Sequence, residues 1–219
     1  SNTYPIYDIY DADKPWPDTV KSNTNHILLA KLVKAKKLKI VVTTNFDQLI
    51  EKALAMEPEP IKEGEDYDLL YKEEDFEKIN IEGDRSQLIK LHGSVQDKGN
   101  MIITIKQVAC KELSTLKNHI INQIFSLGNH KTVLILGYSC SDVFDICPQI
   151  QAIKEKCKRV IYIQHIGKEE KPDLINLSQE SNQENDNKNR DKVHKTFKDF
   201  EGTRLFYNTD LFIENLWEV

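Results

Sequence analysis

Three short polar clusters in the chain each follow directly on an apolar run. Thr43-Thr44-Asn45-Phe46-Asp47 follows Ile40-Val41-Val42, His92-Gly93-Ser94 follows Leu88-Ile89-Lys90-Leu91, and Gly137-Tyr138-Ser139-Cys140-Ser141-Asp142 follows Val133-Leu134-Ile135-Leu136. Together they hold an amide (Asn45), two carboxylates (Asp47 and Asp142), an imidazole (His92) and several hydroxyls. An amide can orient a water, a carboxylate can fix a polar group, and an imidazole with a pKa near ~6.5 can take up a hydroxyl proton. A β-branched run that stops abruptly in small polar residues is how a buried parallel strand ends at a ligand crevice, because ligands of open α/β sheets sit beyond the carboxyl ends of the strands.

The flanking sequence supplies the elements that must hold these clusters. Residues 26–33 carry apolar positions at helical spacing after Asn23, Thr24 and Asn25, any of which can cap, and lead into a strand over 38–43. Leu49, Ile50, Ala53 and Leu54 give the next helix one apolar face from Phe46 onward, and Pro58 and Pro60 end it. The acidic stretch 63–82 interleaves Tyr67, Leu69, Leu70, Tyr71, Phe76 and Ile79 with its charges and reads as an ordered excursion of open topology. Residues 88–91 and 101–105 read as strands, and a helix whose apolar positions run from Val108 to Phe125 stops at Gly128-Asn129. A strand over 132–136, a helix over 143–156 that tolerates Pro148 as a kink or first-turn residue, and a strand over 159–163 complete an alternation typical of parallel sheets. The chain closes with a strand over 204–207 and a helix ending near Trp217. Residues 1–22, rich in Tyr, Asp and Pro, read as an extended lead-in segment, and residues 178–192 as a mobile polar loop.

Composition limits the function classes. With 219 residues and 39% apolar content the chain can bury one good core, so a single domain is expected. A net charge of −5 with lysines interspersed among acids argues against nucleic-acid binding. No apolar run nears the roughly 20 residues that span a bilayer, and the start is neither basic nor apolar, so a cytoplasmic protein without membrane contact is expected. Cys110, Cys140, Cys147 and Cys157 form no C-x-x-C pair, which argues against a structural zinc site. His26 reads as a packed or half-exposed residue of the apolar helix, His119, His130, His165 and His194 share no spacing that would gather them on one helix face, and no metal is expected.

The three clusters, in this order over about ninety-five residues, together with the helix before the first and the Gly-Tyr-Ser-x-x-Asp form of the third, resemble the sirtuin-like family. They look most like its bacterial NAD-cleaving domains, several of which serve in antiphage defence. The resemblance covers roughly residues 22–165. It implies a three-layer α/β fold with a Rossmann-like parallel sheet, and NAD as substrate. Asn45 takes the place of the family residue that positions water beside the nicotinamide ribose, Asp47 that of the residue holding the carboxamide, and His92 that of the residue acting on the ribose hydroxyls. The implied cofactor-binding set is Thr44, Asn45, Phe46 and Asp47 with Gly137, Tyr138, Ser139 and Asp142, and the implied catalytic pair is Asn45 and His92. Asp142 is expected at the start of the following helix.

The chemistry fits these residue types. Breaking the nicotinamide–ribose bond develops oxocarbenium character at the sugar while the leaving group departs neutral, so no strong acid is needed. The sequence also departs from the family pattern. The family's first strand and the Gly-Ala-Gly loop that cradles pyrophosphate have no counterpart here, since no glycine precedes Gly64. The expectation is therefore a fragment whose glycine loop lies upstream, within a protein that carries further domains and self-associates. The family's zinc module is absent as well, which favours NAD hydrolysis over protein deacylation.

Each cluster also has a plainer reading. Thr43-Thr44-Asn45 could cap the helix after it, His92 could be a turn histidine held by Gly93, and Ser139, Ser141 or Asp142 could cap the next helix. At the level of function, a non-catalytic module that binds NAD or ADP-ribose stands beside the hydrolase, with an NAD-dependent deacylase as a third reading.

Overall fold

The computed structural model describes residues 21–56, 58–97, 115–126, 128–142, 145–178 and 188–218. The expected strand at 101–105, the first part of the helix after it, residues 1–20 of the lead-in segment and residues 179–187 of the polar stretch lie outside the described residues.

The chain first forms helix α1 (Thr24–Lys34), closed at its start by a capping box. The Asn23 side chain accepts from the His26 backbone N–H at 3.1 Å, and His26 Nδ1 accepts from the Asn23 N–H at 3.3 Å, so two otherwise orphaned donors are satisfied. Strand β1 (Ile40–Thr43) follows, then the short helix α2 (Leu49–Leu54). The acidic excursion is ordered, as expected: it supplies strand β2 (Tyr67–Leu70) and a 3-10 turn (Glu73–Lys78) before strand β3 (Ser86–Lys90). Helix α3 (Thr115–Phe125) leads to β4 (Thr132–Leu136), α4 (Ile146–Ala152), β5 (Arg159–His165), β6 (Asp173–Asn176), α5 (Lys188–Phe197), β7 (Gly202–Tyr207) and α6 (Thr209–Glu218).

The described strands form two sheets. One has the order β1-β3-β2 and is parallel throughout, with Ile40 opposite Gln87 and Tyr67 opposite Ser86. The other has the order β4-β5-β7-β6, parallel except for β6, which pairs antiparallel with β7 at the edge. β3 lies at the centre of its sheet and is buried along its whole length. Side chains alternate across a strand, so Ile89 enters the larger core and Leu88 the smaller one.

Helices cover both faces. The larger core gathers Ile120, Ile121 and Phe125 of α3, Ile146 and Ile150 of α4, and Val193 and Phe197 of α5 against Ile89, Val160 and Tyr162. Phe125, Tyr162, Phe197 and Phe200 form an aromatic cluster with ring centroids 5.6 to 6.1 Å apart, within the range of favourable ring pairs. The smaller core joins Ala30 and Val33 of α1 with Ala53 and Leu54 of α2 and with Leu69 and Leu88. This is a three-layer α/β architecture of Rossmann-like type.

Two expectations need correction here. Helix α5 starts at Lys188, inside the stretch expected as polar loop; its few apolar side chains, Val193 and Phe197, are buried in the core. β6 was not foreseen at all: it is an edge strand with only two apolar residues, Leu174 and Ile175.

Candidate active site

β1 and β4 start at one level. Lys39, just before β1, reaches Asp84 at 3.2 Å, while Glu82, two residues earlier in the same turn, accepts from the Asn129 backbone N–H at 2.6 Å just before β4. From this turn both strands run to the end of the molecule where the polar clusters lie. Between them is a cavity of about 810 Å³, walled by Ile40, Val42, Val133 and Ile135 and reached at the cluster end by Asn45 and Tyr138. The chain progresses away from this gap in both directions, through β3 and β2 on one side and β5 and β7 on the other. Such a reversal of strand order is the switch point at which open α/β sheets bind ligands.

The first cluster leaves β1 in a tight turn in which Thr43 Oγ1 accepts from the Asn45 backbone N–H at 3.0 Å. Asn45 is exposed, and Thr44, Phe46 and Asp47 are half-buried. Helix α2 begins at Leu49, three residues later than expected, because the residue that receives its first N–H is Asp47: Oδ1 accepts from Leu49 N at 3.0 Å. The first N–H of α2 is therefore satisfied by Asp47, the residue before the N-cap Gln48, and neither Thr44 nor Asn45 serves that role.

The second cluster follows β3, the strand beside β1, and is zipped to the first by two backbone bonds, Leu91 N to Thr43 O at 3.0 Å and Val95 N to Phe46 O at 2.9 Å. Gly93 has φ +86°, a left-handed conformation that L side chains resist, and lets the chain turn directly after His92. His92 Nε2 lies 2.8 Å from Asp145 Oδ2, with the imidazole 18% and the carboxylate 5% exposed. When Nε2–H donates to the carboxylate, Nδ1 is left as the basic nitrogen of the neutral ring. Asp145 Oδ1 is buried with no hydrogen-bond partner among the described residues.

The third cluster opens on Gly137, at φ +65°. The Tyr138 hydroxyl donates to Asp142 and lies 3.2 Å from Cys147 Sγ, and the Tyr162 hydroxyl donates to the Tyr138 carbonyl. Burial, reinforced by the Asp142 carboxylate, raises the Tyr138 phenol well above its ordinary range, so it stays a donor. Gly137 and Ser139 are exposed. Asp142 was expected at the start of the next helix; α4 begins only at Ile146, and Asp142 instead anchors the Tyr138 ring. Pro148, the third residue of α4, is accommodated in its first turn, where a backbone N–H has no intrahelical partner.

Of the candidate residues, Thr44 and Asn45 line the crevice on the β1 side and Gly137 and Tyr138 on the β4 side. Phe46, Asp47, His92, Ser139 and Asp142 lie in the same clusters but not among the lining residues, and Asp145 ties the second cluster to the third through His92.

The family comparison bears on this arrangement. The model of the SIR2-like domain matches residues 39–194, which takes in all three clusters and every strand except β7. The chain belongs to the SIR2-like family. Membership implies NAD involvement. No curated protein matches the chain.

Sequence reading missed three charged residues that contact the clusters or each other. Asp145 carries the signal of an acid just before the apolar helix that starts at Ile146, three residues beyond Asp142. Lys90 is a lone cation inside an apolar strand, which is where an unpaired charge would be most costly. Glu51, its partner on α2, gives no signal beyond being an ordinary helical acid. Burial raises the Glu51 carboxyl above its usual range, and the Lys90 ammonium opposes that shift. Among the described residues no group of three or more His, Cys, Asp and Glu side chains is placed to hold a metal, and no helix is long and apolar enough to cross a membrane.

Proposed function

We propose that this SIR2-like domain hydrolyses NAD to nicotinamide and ADP-ribose. The observation that carries the reading is the His92–Asp145 pair just after β3, with the exposed Asn45 just after the neighbouring strand β1. Water attacks the anomeric carbon of the nicotinamide ribose, the bond to the ring nitrogen breaks, and its electron pair leaves with neutral nicotinamide. Asn45 orients the water. His92, held by Asp145 through one nitrogen, accepts a hydroxyl proton through the other and passes it to solvent. Asp47 and Phe46 contribute to the nicotinamide side, and Gly137, Tyr138 and Ser139 to the adenosine side. By the resemblance, the setting is bacterial antiphage defence.

Incubation with NAD, with and without an acylated peptide, followed by chromatography of the products, tests this. Nicotinamide and free ADP-ribose in equal amounts without peptide support hydrolysis. Nicotinamide release that depends on the peptide, with acylated ADP-ribose as product, contradicts it and favours the deacylase. Reversible retention of NAD or ADP-ribose without cleavage identifies a binding module, a reading favoured by the lack of a glycine-rich loop along the crevice among the described residues.

A further inference from the structure

Lys90, the last residue of β3, is 1% exposed, the most deeply buried charged side chain among the described residues. It shares the strand face of Leu88, which looks toward α1 and α2. There its ammonium donates to the Asp47 carbonyl, to the Glu51 carboxylate and, at 3.3 Å, to the Ser94 hydroxyl. An ammonium has three donors and no acceptor, so these three contacts use it completely. Two of the three acceptors belong to the site clusters, Asp47 to the first and Ser94 to the second, and Ser94 is fully buried. Glu51 neutralises the charge that this arrangement places under the site.

We propose that Lys90 is a positioning residue that fixes the Asn45–Asp47 turn against the His92–Ser94 turn. The backbone bonds between the clusters set the two chains side by side; Lys90 adds a tie from below to a carbonyl of one turn and a hydroxyl of the other. Its catalytic consequence rests on the NAD-cleaving reading: the amide that places water and the imidazole that takes the proton sit on different turns, and their spacing is set where the turns are joined. A misplacement of about 1 Å at such a site can cost on the order of a hundredfold in rate.

A purely structural ion pair makes a different prediction, since replacing both partners of a buried pair by apolar residues of similar volume is often neutral or stabilising. The test is therefore the double variant Lys90→Met with Glu51→Leu in the full chain. Its thermal midpoint should stay within about 5 °C of the wild type. Backbone amide exchange over residues 43–49 and 91–95 should be about tenfold faster or more, with β4 and β5 unchanged. With NAD, kcat should fall about tenfold or more while KM moves less than about threefold. Wild-type exchange in both turns overturns the proposal, whatever the activity. A wild type that releases no nicotinamide counts against the NAD-cleaving reading, and the exchange comparison then decides the role of Lys90 alone. If the double variant does not fold, Ser94→Ala, which keeps the ion pair, takes its place: exchange over 91–95 about threefold faster at an unchanged midpoint supports the tie, and unchanged exchange overturns it.

Discussion

At the scale of single residues, the site is a set of weak signals that gain meaning from their neighbours. Asn45 and His92 are visible in the sequence because each ends an apolar run, and the end of a run marks the open edge of a parallel sheet. Asp145 is not visible, because its partner lies 53 residues away in sequence and the contact exists only once β3 and α4 are packed. Its role can be read from a substitution that keeps shape and removes charge. Asp145→Asn should leave the thermal midpoint within a few degrees and slow nicotinamide release about ten- to a hundredfold, since the amide NH2 can donate to Nε2 and hold His92 in the wrong tautomer, and a neutral amide cannot stabilise the imidazolium. Steady-state kinetics of the purified variant measure it.

At the scale of elements, apolar runs mark β1, β3, β4, β5 and β7, of which β3 is buried along its whole length while β1 and β4, which border the crevice, are partly exposed. Helix limits are less legible. α2 begins later than its apolar face because Asp47 captures the first N–H, and α5 hides two core residues, Val193 and Phe197, in a charge-rich stretch. The N-terminus of α1 offers a pH test. Burial holds His26 below its ordinary 6.5, with the nearby Asp47 carboxylate opposing the shift. The unfolded chain then binds the proton more readily than the folded one, so stability should decline as pH falls through 6.5 toward the lower folded value and level off below it. His26→Gln keeps an acceptor at the third helical position and cannot titrate, so it should flatten that part of the profile. Urea unfolding between pH 7.5 and 5 follows the difference.

At the scale of the whole molecule, the two sheets are joined by helices that pack across both, and the crevice between β1 and β4 follows from that arrangement. The gap itself was not legible in the sequence, because pairing between strands is a tertiary choice that no run of residues announces; the three-layer architecture was, through the alternation of runs. Phe197 sits at the centre of the aromatic cluster with no exposed surface. Phe197→Ala should lower folding stability by about 3–5 kcal/mol, measured by denaturant unfolding. It removes packing from one wall of the cavity as well, so NAD cleavage, measured well below the melting range, should also weaken. The central claim is that the ends of β1 and β3 together form a centre that cuts NAD, and nicotinamide release by the wild type, Asn45→Ala and His92→Ala tests it most directly. The expected result is release by the wild type and a loss of at least about a hundredfold in each variant at unchanged thermal midpoint; release by both variants at the wild-type rate would contradict it.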